Sequence, residues 1–352
     1  MVGTGKGAEH GILIRNVESL ETMHKINTIV FDKTGTLTAG KLKVTDIISD
    51  FDSRVSELDL LKLVASLEKG SEHPIGEAIV TATKEKGITL TDPQDFKAVP
   101  GLGITGKIKN ETVLVGNIKF MKINGIAIDN IINQVQALAS QGKTILIVVV
   151  DKQIIGLIAA ADTLKPDAKE TITQLHQLGL TVMMLTGDNQ RTAQAIANQA
   201  GIDQVLAEVL PQDKANQIQK LQKAGKLVAF VGDGINDAPA LAKADIGIAL
   251  GSGTDIAIES ADITLISNEL SSVPLSIELS RDTMKTIKQN LFWAFFYNII
   301  GIPLAAGVLY PFFGILLNPM LAAAAMALSS VSVVSNSLRL RNVSIAEQLR
   351  TR

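Results

Sequence analysis

The sequence predicts an α/β fold: a doubly wound parallel sheet, interrupted by an inserted α+β unit and followed by a C-terminal transmembrane helical hairpin. Short apolar strands run into acid-bearing loops after Phe31, Leu185 and Val231. Between residues 41 and 151 the pattern changes to alternating strands and amphipathic helices, and two long apolar stretches follow residue 289. Because 352 residues exceed the size at which one hydrophobic core usually stops growing, we expect at least two folded units.

The first strand is the apolar, β-branched run at residues 26–31, which ends at Asp32. This pattern is typical of a buried parallel strand that delivers a loop from its carboxyl end. The inserted unit has predicted strands at 112–115 and 145–150 and predicted helices at 58–67 and 75–86.

Strand–helix alternation resumes at residue 154. It predicts a strand at 181–185, a helix at 190–200, and further strands at 227–231, 245–249 and 262–265. A doubly wound sheet gathers the acid-bearing loops of its strands at one edge, where open α/β sheets bind ligands.

The closing apolar stretches, 290–309 and 314–334, are each close to the ~20 residues that cross a bilayer. Basic residues flank the pair: Lys285, Lys288, Arg339 and Arg341. By the positive-inside rule both ends then face the cytoplasm. The alternative, a buried hairpin in a soluble core, leaves the aromatic cluster around Trp293 unexplained.

Composition excludes several classes of function. The 33 Lys and Arg against 35 Asp and Glu give a net charge of -2, which argues against nucleic-acid binding driven by net charge. The absence of cysteine excludes disulfides, thiolate zinc sites and cysteine nucleophiles. The N-terminal segment lacks the apolar stretch of a secretory signal and reads as an internal segment.

The acidic loops hold what phosphoryl transfer requires: a nucleophile, ligands for magnesium and donors to the phosphoryl oxygens. Taken singly, each residue has a plainer interpretation, such as a turn aspartate or a solvated helix lysine. The candidates are Asp32 as nucleophile, Asp233 and Asp237 as hard oxygen ligands, and Thr186, Gly187 and Lys214 as donors.

The string DKTGTLT at residues 32–38 resembles, without a mismatch, the phosphorylation signature of P-type ATPases in the haloacid-dehalogenase superfamily. Thr186-Gly187-Asp188 and the string GDGINDAP at 232–239 follow in that family's order. The resemblance implies a haloacid-dehalogenase-like P domain at 24–40 and 152–275, a nucleotide-binding domain at 41–151, two membrane helices at 276–340, a cytosolic tail at 341–352, and a first segment, 1–23, that continues a missing membrane helix.

The resemblance also implies the role of each residue, with ATP and Mg²⁺ as cofactors. Asp32 is the phosphorylated aspartate, and Thr34 offers its carbonyl to magnesium and its hydroxyl to phosphate. Asp233 is a magnesium ligand supported by Asp237. Thr186, Gly187, Asp188 and Lys214 complete the catalytic set.

Within the inserted unit, Ser71-Glu72-His73-Pro74 resembles an element of the heavy-metal branch, and residues 100–104 resemble its glycine loop. Glycines let the backbone approach a ligand closely, and a histidine can hydrogen-bond a base. Taken alone, His73 is more often a helix-start residue. The implied ATP contacts are Glu68, His73, Gly101, Gly103 and Asn117.

The ion is suggested by the apolar stretches. Tyr297-Asn298 in the first, and Met326 with Ser329-Ser330 in the second, resemble copper(I) exporters. This implies Tyr297, Asn298, Met326 and Ser330 as Cu(I) ligands, since a thioether is a soft ligand. In the plainer interpretation Met326 is apolar filler and the serines satisfy backbone carbonyls. A zinc or cadmium pump is the alternative, although neither stretch holds a charged residue.

The chain also departs from the family, because it has neither the Cys-Pro-Cys of an earlier membrane helix nor the Thr-Gly-Glu loop of the actuator domain. We therefore expect a protein of the cell membrane with cytoplasmic catalytic domains, able to bind ATP but not to transport alone. Its implied partners are the lipid bilayer, the pump's N-terminal half and a copper chaperone, with no nucleic acid.

Two other functions stay open. A membrane-tethered phosphatase usually keeps a second Asp two residues after the nucleophile, where this chain has Thr34. The other is a non-enzymatic nucleotide-binding module that regulates a full-length pump.

Overall fold

The computed structural model describes residues 2–49, 55–71, 73–251, 253–308, 310–314 and 319–340. The strands of this part are β1 (Ile12–Ile14), β2 (Thr28–Asp32), β3 (Thr38–Ile48), β4 (Gln94–Val99), β5 (Gly103–Ile108), β6 (Glu111–Gly116), β7 (Thr144–Val150), β8 (Gln153–Leu164), β9 (Thr181–Leu185), β10 (Gln204–Leu206), β11 (Val228–Gly232), β12 (Ile246–Leu250) and β13 (Ile263–Leu265).

The helices of the same part are α1 (Val2–Glu9), α2 (Val17–Met23), α3 (Glu57–Glu68), α4 (Pro74–Glu85), α5 (Ile118–Ile123), α6 (Ile132–Ser140), α7 (Ala168–Gln177), α8 (Gln190–Ala200), α9 (Lys214–Lys223), α10 (Ala238–Lys243), α11 (Asp255–Ser260), α12 (Ser272–Ala305), α13 (Tyr310–Phe313) and α14 (Pro319–Arg339). Lys33–Leu37 forms a turn whose backbone is not helical at Thr34 and Gly35, and single helical turns lie at Pro211–Asp213 and Ile235–Asp237.

A seven-stranded sheet has the strand order β1-β13-β12-β11-β2-β9-β10. The pairs β11 with β12, β12 with β13, and β9 with β10 are parallel, and only the edge pair β1 with β13 is antiparallel among the pairs described. Every residue of β2, β11 and β12 is buried, as expected for strands covered on both faces. The predicted parallel sheet with an acid-bearing loop after each of three strands is confirmed.

The inserted unit carries an antiparallel six-stranded sheet in the order β3-β8-β7-β6-β5-β4. The predicted strands at 112–115 and 145–150 lie within β6 and β7, and the predicted helices became α3 and α4. The outer strands β3 and β4 each pair with one neighbour, and both ladders contain a register shift.

Alternating side chains build two cores, one on each face of this sheet. Val113 and Val115 of β6 pack on the face covered by α3 and α4, with Leu61 and Ile79. Leu114 points to the opposite face, where α5 and α6 close a second core. Helices on both faces explain why β6 and β7 are apolar at consecutive positions.

The chain divides into two compact units. The first comprises residues 1–30, 170–182 and 211–352, and the second comprises residues 31–169 and 183–210. The domain boundaries predicted from the sequence, including those at 41 and 151, stay predictions.

The C-terminal helices differ from the expected membrane hairpin. Over the described residues, no helix combines the length and the sustained apolarity that a bilayer crossing needs, so the spans predicted at 290–309 and 314–334 are not supported. Helix α12 starts at Ser272 with a buried first half, and its apolar second half is interrupted by Asn290 and Asn298. Part of the second predicted span, residues 315–318, lies outside the described residues.

Candidate functional site

The loop after β2 presents the predicted nucleophile. Asp32 is the last residue of β2 and is buried, with 5% of its surface exposed. The following turn, Lys33–Leu37, reverses the chain at Gly35, whose φ of 78° lies in the region that glycine adopts without steric cost. Thr34 is exposed at this turn. The backbone therefore brings one carboxylate to the end of a rigid strand.

Asp162 fixes the far end of this loop. Its carboxylate accepts hydrogen bonds from the Thr38 hydroxyl and, at 3.0 Å, from the Gly40 N–H. The Thr38 hydroxyl also lies 2.9 Å from the carbonyl oxygen of Lys33, so the two ends of the turn are tied together. Sequence reasoning missed Asp162, although an acid near the end of an otherwise apolar strand was a visible signal.

A second acid is brought to the same loop by Lys33. The Lys33 Nζ lies 2.6 Å from Asp188 Oδ2, and the lysine is buried. The Thr186 hydroxyl accepts from the Asp188 N–H at 3.1 Å, which orders the exposed Gly187 between them. The second unit thus joins Asp32, through its neighbour Lys33, to the predicted Thr186-Gly187-Asp188 group. The role of Lys33 was also missed, although it stands inside the DKTGTLT string.

The first unit assembles the other half of the predicted catalytic set around Asp237, which is 2% exposed. One carboxylate oxygen lies 2.7 Å from Lys214 Nζ, and the other accepts from the N–H groups of Asp233 and Gly234 at 3.3 and 3.1 Å. Because both of its oxygens are engaged, Asp237 orders the loop after β11 and positions Lys214. Asp233 is half-buried in that loop.

These side chains fit a magnesium ion that arrives with a nucleotide. In the described part of the chain, no three His, Cys, Asp or Glu side chains lie close enough together to hold a metal ion. Mg²⁺ usually keeps several waters and takes one or two carboxylates together with substrate phosphates. The Asp233 carboxylate is a donor of the right chemistry for such a shared site.

The inserted unit contains a cavity of about 270 Å³. All five residues predicted to contact ATP line it: Glu68, His73, Gly101, Gly103 and Asn117. Apolar walls are added by Ala98, Val99, Ile145 and Leu146, which were not predicted to contact ATP. A concave, mostly apolar site with a few polar groups is the usual form of a small-molecule pocket.

Glu68 is the polar group in this cavity that lacks a full set of partners. Its side chain is 4% exposed, and its Oε2 atom has no hydrogen-bond partner among the described residues. Burial raises the pKa of the Glu68 carboxyl, against the opposing effect of a hydrogen bond from Ser71. A Cβ at Gly76 would lie 2.4 Å from Oε2, so only glycine there leaves room for the carboxylate.

His73 begins α4 and is exposed. Its Nδ1 accepts from the N–H of Ile75 at 3.3 Å, so the neutral ring carries its proton on Nε2. The histidine therefore combines the helix-start role with a donor for a ligand. His73 can therefore be both a helix-start residue and the predicted ATP contact.

The glycine loop is a turn closed by the Leu102 N–H on the Val99 carbonyl at 3.0 Å, with Gly101 at a φ of 71°. Asn117 donates from Nδ2 to the Gly101 carbonyl at 2.9 Å and caps α5 through the Phe120 N–H. Asn117 thus holds the shape of the loop.

Gly103 faces Gly116 across the β5–β6 ladder. A Cβ at Gly103 would come within 2.3 Å of the Val115 carbonyl oxygen, so the strands approach more closely than a side chain allows.

The predicted Cu(I) ligands lie on the last helices. Tyr297 and Asn298 are on α12, where Asn298 donates to the Ala294 carbonyl of its own helix at 2.9 Å. Ser330 is exposed on α14, and the side chain of Met326 lies outside the described residues. Hydrogen bonds between the two helices join Asn290 to Ser337 and to Asn336, each at 2.8 Å. The structure leaves this ligand set as a prediction.

Comparison with known sequences gives a consistent assignment. Residues 26–245 match the haloacid dehalogenase-like hydrolases. The chain is 53% identical to the probable copper-transporting ATPase PacS of Synechococcus elongatus, over 97% of this chain and 46% of that protein. It is 49% identical to a copper-exporting P-type ATPase of Legionella pneumophila, over 98% and 46%. The chain thus spans a little under half the length of these relatives.

Solved structures agree with the sequence matches. The fold resembles a zinc-transporting PIB-type ATPase in its E2.Pi state, with a TM-score of 0.87, 37% identity, and coverage of 97% of this chain and 54% of that one. It also resembles the catalytic domain of the CPx-ATPase CopB-B, with a TM-score of 0.58, 32% identity, and coverage of 78% and 98%.

Proposed function

Because the chain belongs to the haloacid dehalogenase-like hydrolases, and within them to the heavy-metal P-type ATPases, we propose that it is the ATP-hydrolysing portion of a copper(I)-transporting pump. Asp32 accepts the γ-phosphoryl group of ATP in this proposal. The observation that carries it is the DKTGTLT loop, with its first carboxylate buried at the end of β2.

In the proposed reaction an Asp32 carboxylate oxygen attacks the γ-phosphorus, the bond to the bridging oxygen breaks, and ADP leaves with that electron pair. Asp233, supported by Asp237, would hold a magnesium ion together with Asp32 and the Thr34 carbonyl, and the ion would neutralise the phosphate oxygens. Lys214 and Thr186 donate to the transferred group. Lys214 is held ready for this by Asp237, and the two side chains are 10% and 3% exposed.

Nucleotide binding is assigned to the cavity of the inserted unit. Glu68 Oε2 accepts a hydrogen bond from the base, and His73 Nε2–H donates one. The unpaired Oε2 supports this role, because a buried acceptor without a donor costs about 1–3 kcal/mol that a ligand can recover. The Gly101 turn brings backbone groups close to the same ligand.

Asp32 phosphorylation can be tested directly. Incubated with labelled ATP and Mg²⁺, the chain is expected to gain an acid-stable, hydroxylamine-labile label that Asp32→Asn abolishes. The matched control is Asp129→Asn, which makes the same chemical change at an exposed position of the same unit and should keep the label.

Two results would contradict the assignment. One is full labelling of Asp32→Asn. The other is rapid turnover of a generic phosphate ester, which would favour the phosphatase alternative, because Thr34 lacks the acidity to protonate a leaving group.

Copper(I) is proposed as the ion because relatives about half identical are named for copper, whereas the zinc-transporting structure is 37% identical. Tyr297, Asn298, Met326 and Ser330 are the proposed ligands. The pump's remaining N-terminal half, a membrane and a copper chaperone are the proposed partners. The exposed apolar surface of α12, including Phe295 and Ile299, supports membrane association.

The ion assignment is tested by competition for Cu(I) with a chromophoric chelator. Met326→Leu is expected to weaken Cu(I) binding about tenfold or more, because a soft thioether is lost. The control is Met320→Leu, which removes an exposed thioether from the same helix. Equal loss in both variants, or tighter binding of Zn²⁺ than of Cu(I) by the unmodified chain, would refute the ligand set.

A further inference from the structure

A second cavity, of about 460 Å³, lies in the first unit along α12. Its lining includes His24, Arg281, Lys285, Lys288, Phe292 and Trp293. Positions 281, 285, 288 and 292 are spaced by four, three and four residues, so they lie on one face of the helix. The lining residues in the described part include three permanent or near-permanent cations and no carboxylate. We call this cavity the α12 groove.

The polar half of the α12 groove carries three cationic donors, Arg281, Lys285 and Lys288. Lys285 and Lys288 are exposed, and Arg281 is held in place because its Nη1 donates to the Leu178 carbonyl at 2.9 Å. His24 Nδ1 is buried and has no hydrogen-bond partner among the described residues. Guanidinium and ammonium donors converging on one space fit an anionic oxygen group such as a phosphate.

The apolar half of the α12 groove is an exposed aromatic cluster. The Phe292 and Trp293 ring centroids are 5.5 Å apart, and each lies within 6 Å of the Phe296 ring. Phe292 is 59% exposed and Trp293 is 44% exposed. Exposed Ile299 and Ile302 continue this surface along the same helix. Large aromatics next to lysines are typical of side chains at the membrane–water interface.

We propose that the α12 groove binds an anionic phospholipid. The headgroup phosphate lies against Arg281, Lys285 and Lys288, and the acyl chains follow the aromatic cluster. Inorganic phosphate would satisfy only the cationic half, and a neutral lipid only the apolar half. This site uses no residue of the phosphoryl-transfer or nucleotide sites, so it adds a lipid dependence to the proposed pump.

Trp293 makes the groove directly observable, because it is the only tryptophan in the chain. The purified full chain is mixed with vesicles of phosphatidylcholine, with or without phosphatidylglycerol. We expect a blue shift of Trp293 emission and sedimentation with the vesicles that contain phosphatidylglycerol. Brominated phosphatidylglycerol should quench the emission, since its acyl chains lie at the aromatic cluster.

Removing two charges distinguishes binding through the cationic half of the groove from nonspecific adsorption to the vesicles. Lys285→Gln with Lys288→Gln is expected to weaken partition into anionic vesicles about 25-fold, since each lysine near an anionic surface contributes about fivefold. The control pair, Lys84→Gln with Lys86→Gln, removes the same charge from exposed positions on the second unit and should leave partition unchanged.

Three outcomes would overturn the proposal. Equal partition into neutral and anionic vesicles would mean that the apolar surface acts alone. Partition without a Trp293 shift or quenching would place the contact elsewhere on the chain. A Trp293 shift produced by inorganic phosphate without vesicles would identify a free-phosphate site.

Discussion

At position 68 a carboxyl group is buried beside an open cavity with one oxygen unpaired. Such a group lowers the free energy of unfolding of the ligand-free protein, because the buried acceptor has lost its hydrogen bonds to water without gaining a protein donor. Gly76 has no side chain, and this leaves the space that the Glu68 carboxylate occupies. The cost of folding around Glu68 is recovered when a ligand supplies the donor.

The titration of Glu68 gives a testable pH dependence. Burial raises its pKa above the ordinary 4.5, so the folded state binds a proton more readily than the unfolded state. Its contribution to stability is therefore fully present below pH 4.5 and lost as pH rises through the folded pKa. In ligand-free protein, Glu68→Gln should lose less stability than the unmodified chain between acid and neutral pH, as measured by thermal unfolding.

Glu77→Gln is the control, since Glu77 is exposed on the neighbouring helix. Identical pH profiles for the unmodified chain and Glu68→Gln would show that the Glu68 carboxyl is not strained by burial.

Single residues also show where sequence reasoning succeeds. Asp32, Thr186 and Asp233 follow apolar strands, and strand ends are visible in a sequence. Glu68 and His73 became predictable only through their resemblance to a family element. Lys33 and Asp162 were missed because their roles depend on pairing with residues 155 and 124 positions away, which no local pattern encodes.

Among the elements, the β5–β6 pair lines the cavity of the inserted unit, which is the proposed nucleotide site. Gly103 and Gly116 lie opposite each other, and both lack the side chain that would separate the strands. The carbonyl of Leu102 also accepts from the Asn117 N–H at 3.0 Å, which continues the pairing into the loop. The close approach of β5 and β6 therefore also determines the shape of the glycine loop.

Gly103→Ala tests this close approach. The new Cβ would meet the Val115 carbonyl oxygen and Gly116, which are backbone atoms that cannot rotate away. We expect a loss of about 1–3 kcal/mol in the free energy of unfolding and weaker ATP binding. Denaturant unfolding and ATP titration measure the two effects. Gly5→Ala, in helix α1 with nothing within 4 Å of the added Cβ, should be neutral or stabilising, and an equal loss there would contradict the argument.

Helix α12 shows how an element can mislead a sequence interpretation. Its apolar residues after position 290 follow a first half that is buried in the first unit, so one continuous helix serves two surroundings. Hydropathy along the chain located the apolar part of α12, but it did not show that the same helix already begins at Ser272. The burial of its first half, at residues such as Val273 and Ile277, is known only from the structure.

On the scale of the whole molecule, chemistry and nucleotide binding are assigned to different sheets. The loop that we propose to be phosphorylated follows β2 of the seven-stranded sheet, and the cavity is lined by β5, β6 and β7 of the six-stranded sheet. The order of strands and helices was predictable, because the change of pattern near residue 41 and its return near residue 154 are strong signals. The grouping of residues 183–210 with the inserted segment in one compact unit was not predictable, because no change of sequence pattern marks it.

This separation predicts a localised response to ATP. Without Mg²⁺, ATP should slow amide hydrogen exchange in β5 and at the start of α4, and leave β12 unchanged, because only the cavity supplies contacts to the base. His73→Ala should reduce the protection, since it removes the Nε2–H donor. Mass spectrometry of peptides resolves these segments, and protection spread evenly over both sheets would contradict the assignment.

The outer strands of the six-stranded sheet have a consequence for colloidal behaviour. Unpaired strand edges are templates on which other chains can polymerise, and natural proteins blunt them with bulges and lysines. Lys41 and Lys43 stand exposed on β3 and Lys97 on β4, and each strand has the register shift described above. We therefore expect this sheet, protected at both borders, to resist edge-to-edge association with other copies of the chain.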